Sequence, residues 1–113
     1  MSDPLQVTSR QAVSDRTIDR TMLDRVILRH SHNVQGAGME GETVLLDVST
    51  GRYYTLNRMG SVIWEYCTGQ HTVSDIHGFL CDRFEVAPEQ ALDDLVVLIN
   101  QLVDEGLLKQ EGR

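Results

Sequence analysis

Two cysteines, two prolines and six aromatic rings in 113 residues show what this chain does without. Two cysteines, Cys67 and Cys81, cannot build the disulfide framework that a small secreted domain relies on. Free thiols and a cytoplasmic setting are expected. No apolar run approaches the ~20 residues that span a bilayer, so no membrane segment is expected. The first residues do not carry the basic and apolar pattern of a signal peptide. Positive charge is also in short supply. Ten Lys and Arg face seventeen Asp and Glu, for a net charge of −7. Its distribution is uneven. Residues 1–29 hold five arginines and four aspartates, a net +1, and the remainder holds five basic and thirteen acidic residues, a net −8. An acidic body repels phosphate backbones, which argues against nucleic acid as a general partner.

Catalytic patterns are missing too. There is no G-x-S-x-G elbow and no phosphate-binding glycine loop. Asp93 and Asp94 fall on a helix exterior, where solvation accounts for them. Cys67, His71, His77 and Cys81 have the residue types of a zinc site, spaced C-x3-H-x5-H-x3-C. His77 and Cys81 are four apart on one helix face. Cys67, however, ends a helix on its buried side, where a free thiol behaves as a small hydrophobe, and no C-x2-C knuckle is present. His30 and His32 share a strand face without a third ligand and are expected in solvent. No catalytic residue, metal or other cofactor is assigned.

What the chain does have is a hairpin that runs into a helix. In residues 42–64, Val44, Leu46 and Val48 alternate with Leu45, Asp47 and Ser49, the period of a strand with one buried face. Thr50 and Gly51 supply a turn. Residues 52–56 are strand formers, and Asn57 is a helix N-cap. A first strand is expected within residues 26–39, paired with the next through a turn at Glu40 and Gly41. Gly36, Gly38 and Gly41 suggest bulging or an edge there.

Three helices follow. The first spans about residues 58–67, with Ile63, Trp64 and Cys67 on one side and Gly69 as its stop. The second opens at Thr72 with Asp75 in a capping-box arrangement and buries Val73, Ile76, Leu80 and Phe84. The third begins at Pro88 and ends at Gly106. Leu107 and Leu108 then return to the core. On a wheel the third helix places Leu92, Leu95, Val96, Ile99, Leu102 and Val103 within about −80° to +40° of Leu92. Ala91 and Leu98 extend that stripe on one flank only. The shoulder either packs within the chain or walls an open groove. Residues 1–25 read as an extension, disordered or with a short helix around Ile18 and Met22.

A sheet this small leaves strand edges with unpaired N–H and C=O groups. An extended peptide adds to such an edge as a further strand. Residues 52–56 would leave their outer edge open beside the shoulder of the third helix.

These features resemble the PqqD-like family, winged-helix-type precursor-peptide recognition elements. The resemblance rests on Val44–Asp47 (VLLD), Thr50 and Gly51, Tyr54, Leu56 and Asn57, Gly60, Ile63 and Trp64, Gly69, Asp94 and the LVVLINQLVDEGLL run. It covers roughly residues 33–109. The hairpin is most similar to stand-alone members found with lasso peptides, and less similar to those of pyrroloquinoline quinone biosynthesis. The resemblance implies an α+β, winged-helix-like domain over residues 26–113, with a three-stranded antiparallel sheet followed by three helices. It implies no enzymatic activity. It implies binding of a precursor's leader peptide as an added strand, and presentation of that precursor to a modifying enzyme or a leader peptidase. The implied contacts are Arg52, Tyr53, Tyr54, Thr55 and Leu56 on the strand, and Ala91, Asp94, Leu95, Leu98, Gln101 and Leu102 on the helix. Two other readings compete. One is a winged-helix DNA-binding or regulatory module, for which the acidic helices lack phosphate-contacting bases. The other is a dimerisation module in which the N-terminal arm occupies the groove or forms a homodimer by exchange.

Overall fold

The computed structural model describes residues 5, 6, 18 and 20–111. The elements in order are β1 (Leu5–Gln6), a single 3-10 turn (Arg20–Met22), β2 (Ile27–His30), β3 (Val34–Met39), β4 (Glu42–Asp47) and β5 (Arg52–Leu56). They continue with α1 (Arg58–Tyr66), β6 (Thr68–Thr72), α2 (Val73–Arg83), α3 (Pro88–Asp104) and β7 (Leu108–Glu111). Strands β3, β4 and β5 form an antiparallel sheet that the three helices follow, which is the expected α+β arrangement. No helix among the described residues is long and apolar enough to cross a membrane.

The region of residues 26–39 holds two strands where one was expected. Strand β2 belongs to a second antiparallel sheet, in the order β6-β2-β7. The buried Ser31 begins the break between the two, and its N–H donates to the Leu107 carbonyl at 2.9 Å. Strand β3 then pairs with β4 residue for residue, from Val34 opposite Asp47 to Met39 opposite Glu42, without a bulge. Gly36 has a packing reason. A Cβ there would lie 3.2 Å from Leu45 Cδ2 and 3.4 Å from Trp64 Nε1, so β3 approaches the indole more closely than a larger residue allows.

The β4–β5 hairpin buries the face carrying Thr43, Leu45 and Asp47, while Val44 and Leu46 are half-buried and Val48 is exposed. The polar members of the buried face are satisfied. Thr43 Oγ1 donates to Ser61 Oγ at 2.8 Å. The Asp47 carboxylate accepts from the backbone N–H and the hydroxyl of Ser49, at 3.0 and 2.7 Å. Gly51 closes the turn at φ +77° and donates its N–H to the Asp47 carbonyl at 2.7 Å.

The helix ends obey their capping residues. Asn57 accepts from the Gly60 N–H at 2.8 Å at the start of α1. Thr72 and Asp75 form a reciprocal capping box on α2. Pro88 opens α3. Leu107 and Leu108 are buried, as expected of an apolar return, and Leu108 starts β7. The core joins Leu45, Tyr54 and Leu56 of the hairpin to Ile63 and Trp64 of α1, Ile76 and Leu80 of α2, and Leu95, Leu98, Ile99 and Leu102 of α3. Ile18 and Leu23, from the stretch read as an extension, belong to the same core. Ile18 is held by one side chain: its N–H donates to Asn100 Oδ1 at 2.8 Å, and Asn100 Nδ2 donates to its carbonyl at 3.0 Å.

Candidate functional site

Strand β5 presents its five residues in alternation. Arg52 and Tyr53 are exposed, Tyr54 and Leu56 are buried, and Thr55 is half-buried. Its inner edge is fully paired with β4, from Asp47 opposite Arg52 to Thr43 opposite Leu56. Its outer edge is only partly open, contrary to the expectation of a free edge. Leu56 and Thr55 pair antiparallel with Leu5 and Gln6 of β1. Along Arg52, Tyr53 and Tyr54 that edge has no strand partner among the described residues.

The C-terminal end of helix α3 is tied to this strand through its C-cap residue, Glu105. Tyr54 Oη donates to Glu105 Oε1 at 3.0 Å, and Arg52 Nη1 approaches the same oxygen at 3.5 Å. Burial raises the Tyr54 phenol above its ordinary value of 10.0, and the hydrogen bond and charge of Glu105 reinforce the shift. Its proton stays in place at neutral pH, so it remains a donor to the carboxylate. Glu105 lay outside the expected set. Its partners, 51 and 53 residues away in sequence, leave no local signal.

Ala91, Leu95, Leu98 and Leu102 are fully buried. The shoulder formed by Ala91 and Leu98 is thus covered, and Leu98 lies in the core cluster rather than on an open wall. Two of the expected helix residues are half-exposed, Asp94 and Gln101. Asp94 accepts from Gln90 Nε2 at 3.0 Å. Gln101 Oε1 is buried and has no hydrogen-bond partner. It stands four residues before Glu105, a rise of about 6 Å, and so on the same side of α3.

The other residues singled out for chemistry are engaged structurally. Cys67 is fully buried, and burial pushes its thiol up to about 12. His77 Nε2 lies 2.8 Å from the Pro88 carbonyl, which can only accept, so that nitrogen carries the proton and is not available to a metal. Cys81 Sγ sits 3.6 Å from the same nitrogen. His30 is not free in solvent as expected. It stacks on the Trp64 indole at 3.7 Å between centroids, and its Nε2 lies 2.7 Å from the Trp64 carbonyl. His32 is exposed.

A family model described as coenzyme PQQ synthesis protein D (PqqD) matches residues 42–108. The chain belongs to the PqqD family. The matched stretch runs from the first residue of β4 to the first of β7, so it takes in β5 and all three helices and leaves β1 outside. No curated protein matches the sequence. Two solved structures share the fold at 27% identity. One is TbiB1 in complex with the TbiA(beta) leader peptide, with a TM-score of 0.67 over 75% of this chain and 99% of that one. The other is lasso peptide synthetase B1 complexed with the leader peptide, with a TM-score of 0.66 over 73% of this chain and 96% of that one. The heterocyclase TruD is similar at a TM-score of 0.56 and 18% identity. That match covers 76% of this chain but 12% of TruD, and it bears on the fold alone.

Proposed function

We propose that this PqqD-family chain is a non-catalytic, cytoplasmic adaptor. It binds the leader segment of a ribosomally made precursor peptide as a strand added along Arg52–Leu56, and presents that precursor to a modifying enzyme or a leader peptidase. The observation that carries this reading is the outer edge of β5, which along Arg52, Tyr53 and Tyr54 has no strand partner among the described residues. The support from similarity is that both neighbours at 27% identity are described as complexes with leader peptides.

The geometry suits recognition without chemistry. Backbone N–H and C=O groups of β5 supply a sequence-tolerant ladder, and the side chains that flank the edge set preference. Tyr53 offers an exposed ring, 69% accessible, on which a leader side chain rests. Gln101 Oε1 supplies an acceptor for a donor carried by the leader. Asp94 contributes the one carboxylate of the expected helix set. Ala91, Leu95, Leu98 and Leu102 act from beneath, as the packed support that keeps α3 rigid against the strand.

The test is a titration of the fluorescently labelled leader of the precursor gene adjacent to this one. Saturable binding at micromolar protein is expected, with amide shifts in the β5 residues. A flat titration, or shifts confined to surfaces away from β5 and α3, overturns the reading.

A further inference from the structure

We infer that the chain's own N-terminal strand is a resident ligand of the β5 edge, and that a leader binds by strand exchange with it. This rests on the reading that a leader adds along β5. The edge proposed for the leader is the edge that β1 occupies, with Leu5 opposite Leu56 and Gln6 opposite Thr55. The two strands are antiparallel, so β1 supplies the same kind of backbone ladder as an added peptide. Both cannot hold Thr55 and Leu56 at once.

The arm is built to let go without being lost. Its far end is anchored at Ile18, which is fully buried and clamped through both backbone groups by Asn100. Asn100 lies about 100° round the wheel of α3 from Gln101, on a different side of the helix. The anchor therefore stays in place whether β1 is bound or free. Tethering keeps the displaced strand at an effective concentration on the order of millimolar, so it rebinds once the leader leaves. Among the described residues β1 pairs only with Thr55 and Leu56, and a leader strand that also engages Arg52, Tyr53 and Tyr54 competes for the same edge. The family match begins at residue 42, so this occupant is an addition to the matched domain.

The consequence is a lowered apparent affinity. The leader meets only the fraction of molecules with β1 detached, and its apparent Kd rises by the reciprocal of that fraction. Occupancy of about 90% raises it about tenfold.

The experiment uses the full-length chain throughout. Cys81→Ser removes the accessible thiol, and Gln6→Cys with Thr55→Cys then places one thiol on each strand at a paired position. A disulfide formed within one chain on mild oxidation, and absent from the register-shifted Gln6→Cys with Tyr54→Cys, reports the pairing without any leader. A cross-linked dimer instead assigns the arm to a second copy and overturns the intrachain form. The labelled precursor leader is then titrated into three forms. The cross-linked form is expected to bind at least tenfold more weakly, with affinity restored by reduction. Leu5→Pro with Gln6→Pro removes two backbone donors and is expected to bind about tenfold more tightly than the parent chain. Equal leader affinity in all three forms overturns the exchange while leaving leader binding intact. A leader that binds none of them, the double-proline form included, overturns leader binding and the exchange with it.

Discussion

The two walls of the site do different work. On the strand side, Arg52 and Tyr53 are exposed and part of the backbone edge has no partner among the described residues. On the helix side, Ala91, Leu95, Leu98 and Leu102 are already sealed into the core. A ligand can gain hydrogen bonds from the first wall, but the second is largely committed to holding the domain together. On the proposed reading, recognition is concentrated on one strand edge and two half-exposed polar residues of α3, with the hydrophobic stripe as support. Mutations should separate the walls: changes on the helix stripe act on stability, and changes on the strand act on binding.

The sharpest contrast is Leu98→Asp against Tyr53→Asp. A carboxylate at a fully buried position has no partner in this core, and a domain of this size holds about 5–15 kcal/mol in total. Leu98→Asp is therefore expected to unfold the chain. The milder Leu98→Ala is expected to cost about 2–5 kcal/mol by urea denaturation. Tyr53→Asp should leave the urea midpoint within about 0.5 kcal/mol of the parent and weaken leader binding. A stable, folded Leu98→Asp would show that the shoulder is open after all.

Gln101→Met comes next, because it moves the two properties in opposite directions. Removing a buried acceptor that has no partner relieves a penalty of about 1–3 kcal/mol, with little change in shape. Gain of stability with loss of leader affinity is the expected pair. Stability gained at unchanged affinity would place Gln101 outside the contact surface.

Tyr54→Phe tests the tie between the walls. It removes the 3.0 Å bond to Glu105 and is expected to cost about 1 kcal/mol. The smallest effect is its pH signature. The folded state holds Tyr54 above 10.0, so it favours the protonated phenol. This contribution is constant below pH 10 and is lost as pH rises through the folded value. Tyr54→Phe should flatten that part of the alkaline stability profile. Asp47, the last residue of β4, has the opposite sign. Asp47 is held below its ordinary 3.8, first by the Ser49 hydroxyl, while burial works against the shift. Its contribution is present above pH 3.8 and is lost as pH falls through the folded value. Ser49→Ala should reduce that acid dependence and leave the alkaline limb unchanged.

Much of the fold was legible because its signals are local. Asn57 caps α1 three residues before Gly60, and Thr72 and Asp75 cap α2. Gly51 turns the hairpin, and alternation over residues 43–47 marks a strand. The candidate site was legible in part. The strand was placed within the chain, and an N-terminal arm in the groove was one competing reading, but its register on Leu5 and Gln6 was not legible, since two residues of an otherwise polar stretch carry no pairing signal. Strand β2 was missed as a separate element because Val26, Ile27 and Leu28 merge with the following strand in a hydropathy pattern. Only its partners, β6 and β7, place it in the second sheet.

Sequence by itself determined the kinds of element, their order and their caps, because each depends on residues within a few positions of one another. It also determined the family, because the ordered motifs of residues 42–108 are local patterns in series. Tertiary structure alone decided which faces are free. Whether Leu98 is a wall or a core residue, whether Asn100 clamps Ile18 from 82 positions away, and whether the β5 edge is open or held by β1 all depend on contacts between distant segments. Such contacts form only when the chain has closed on itself.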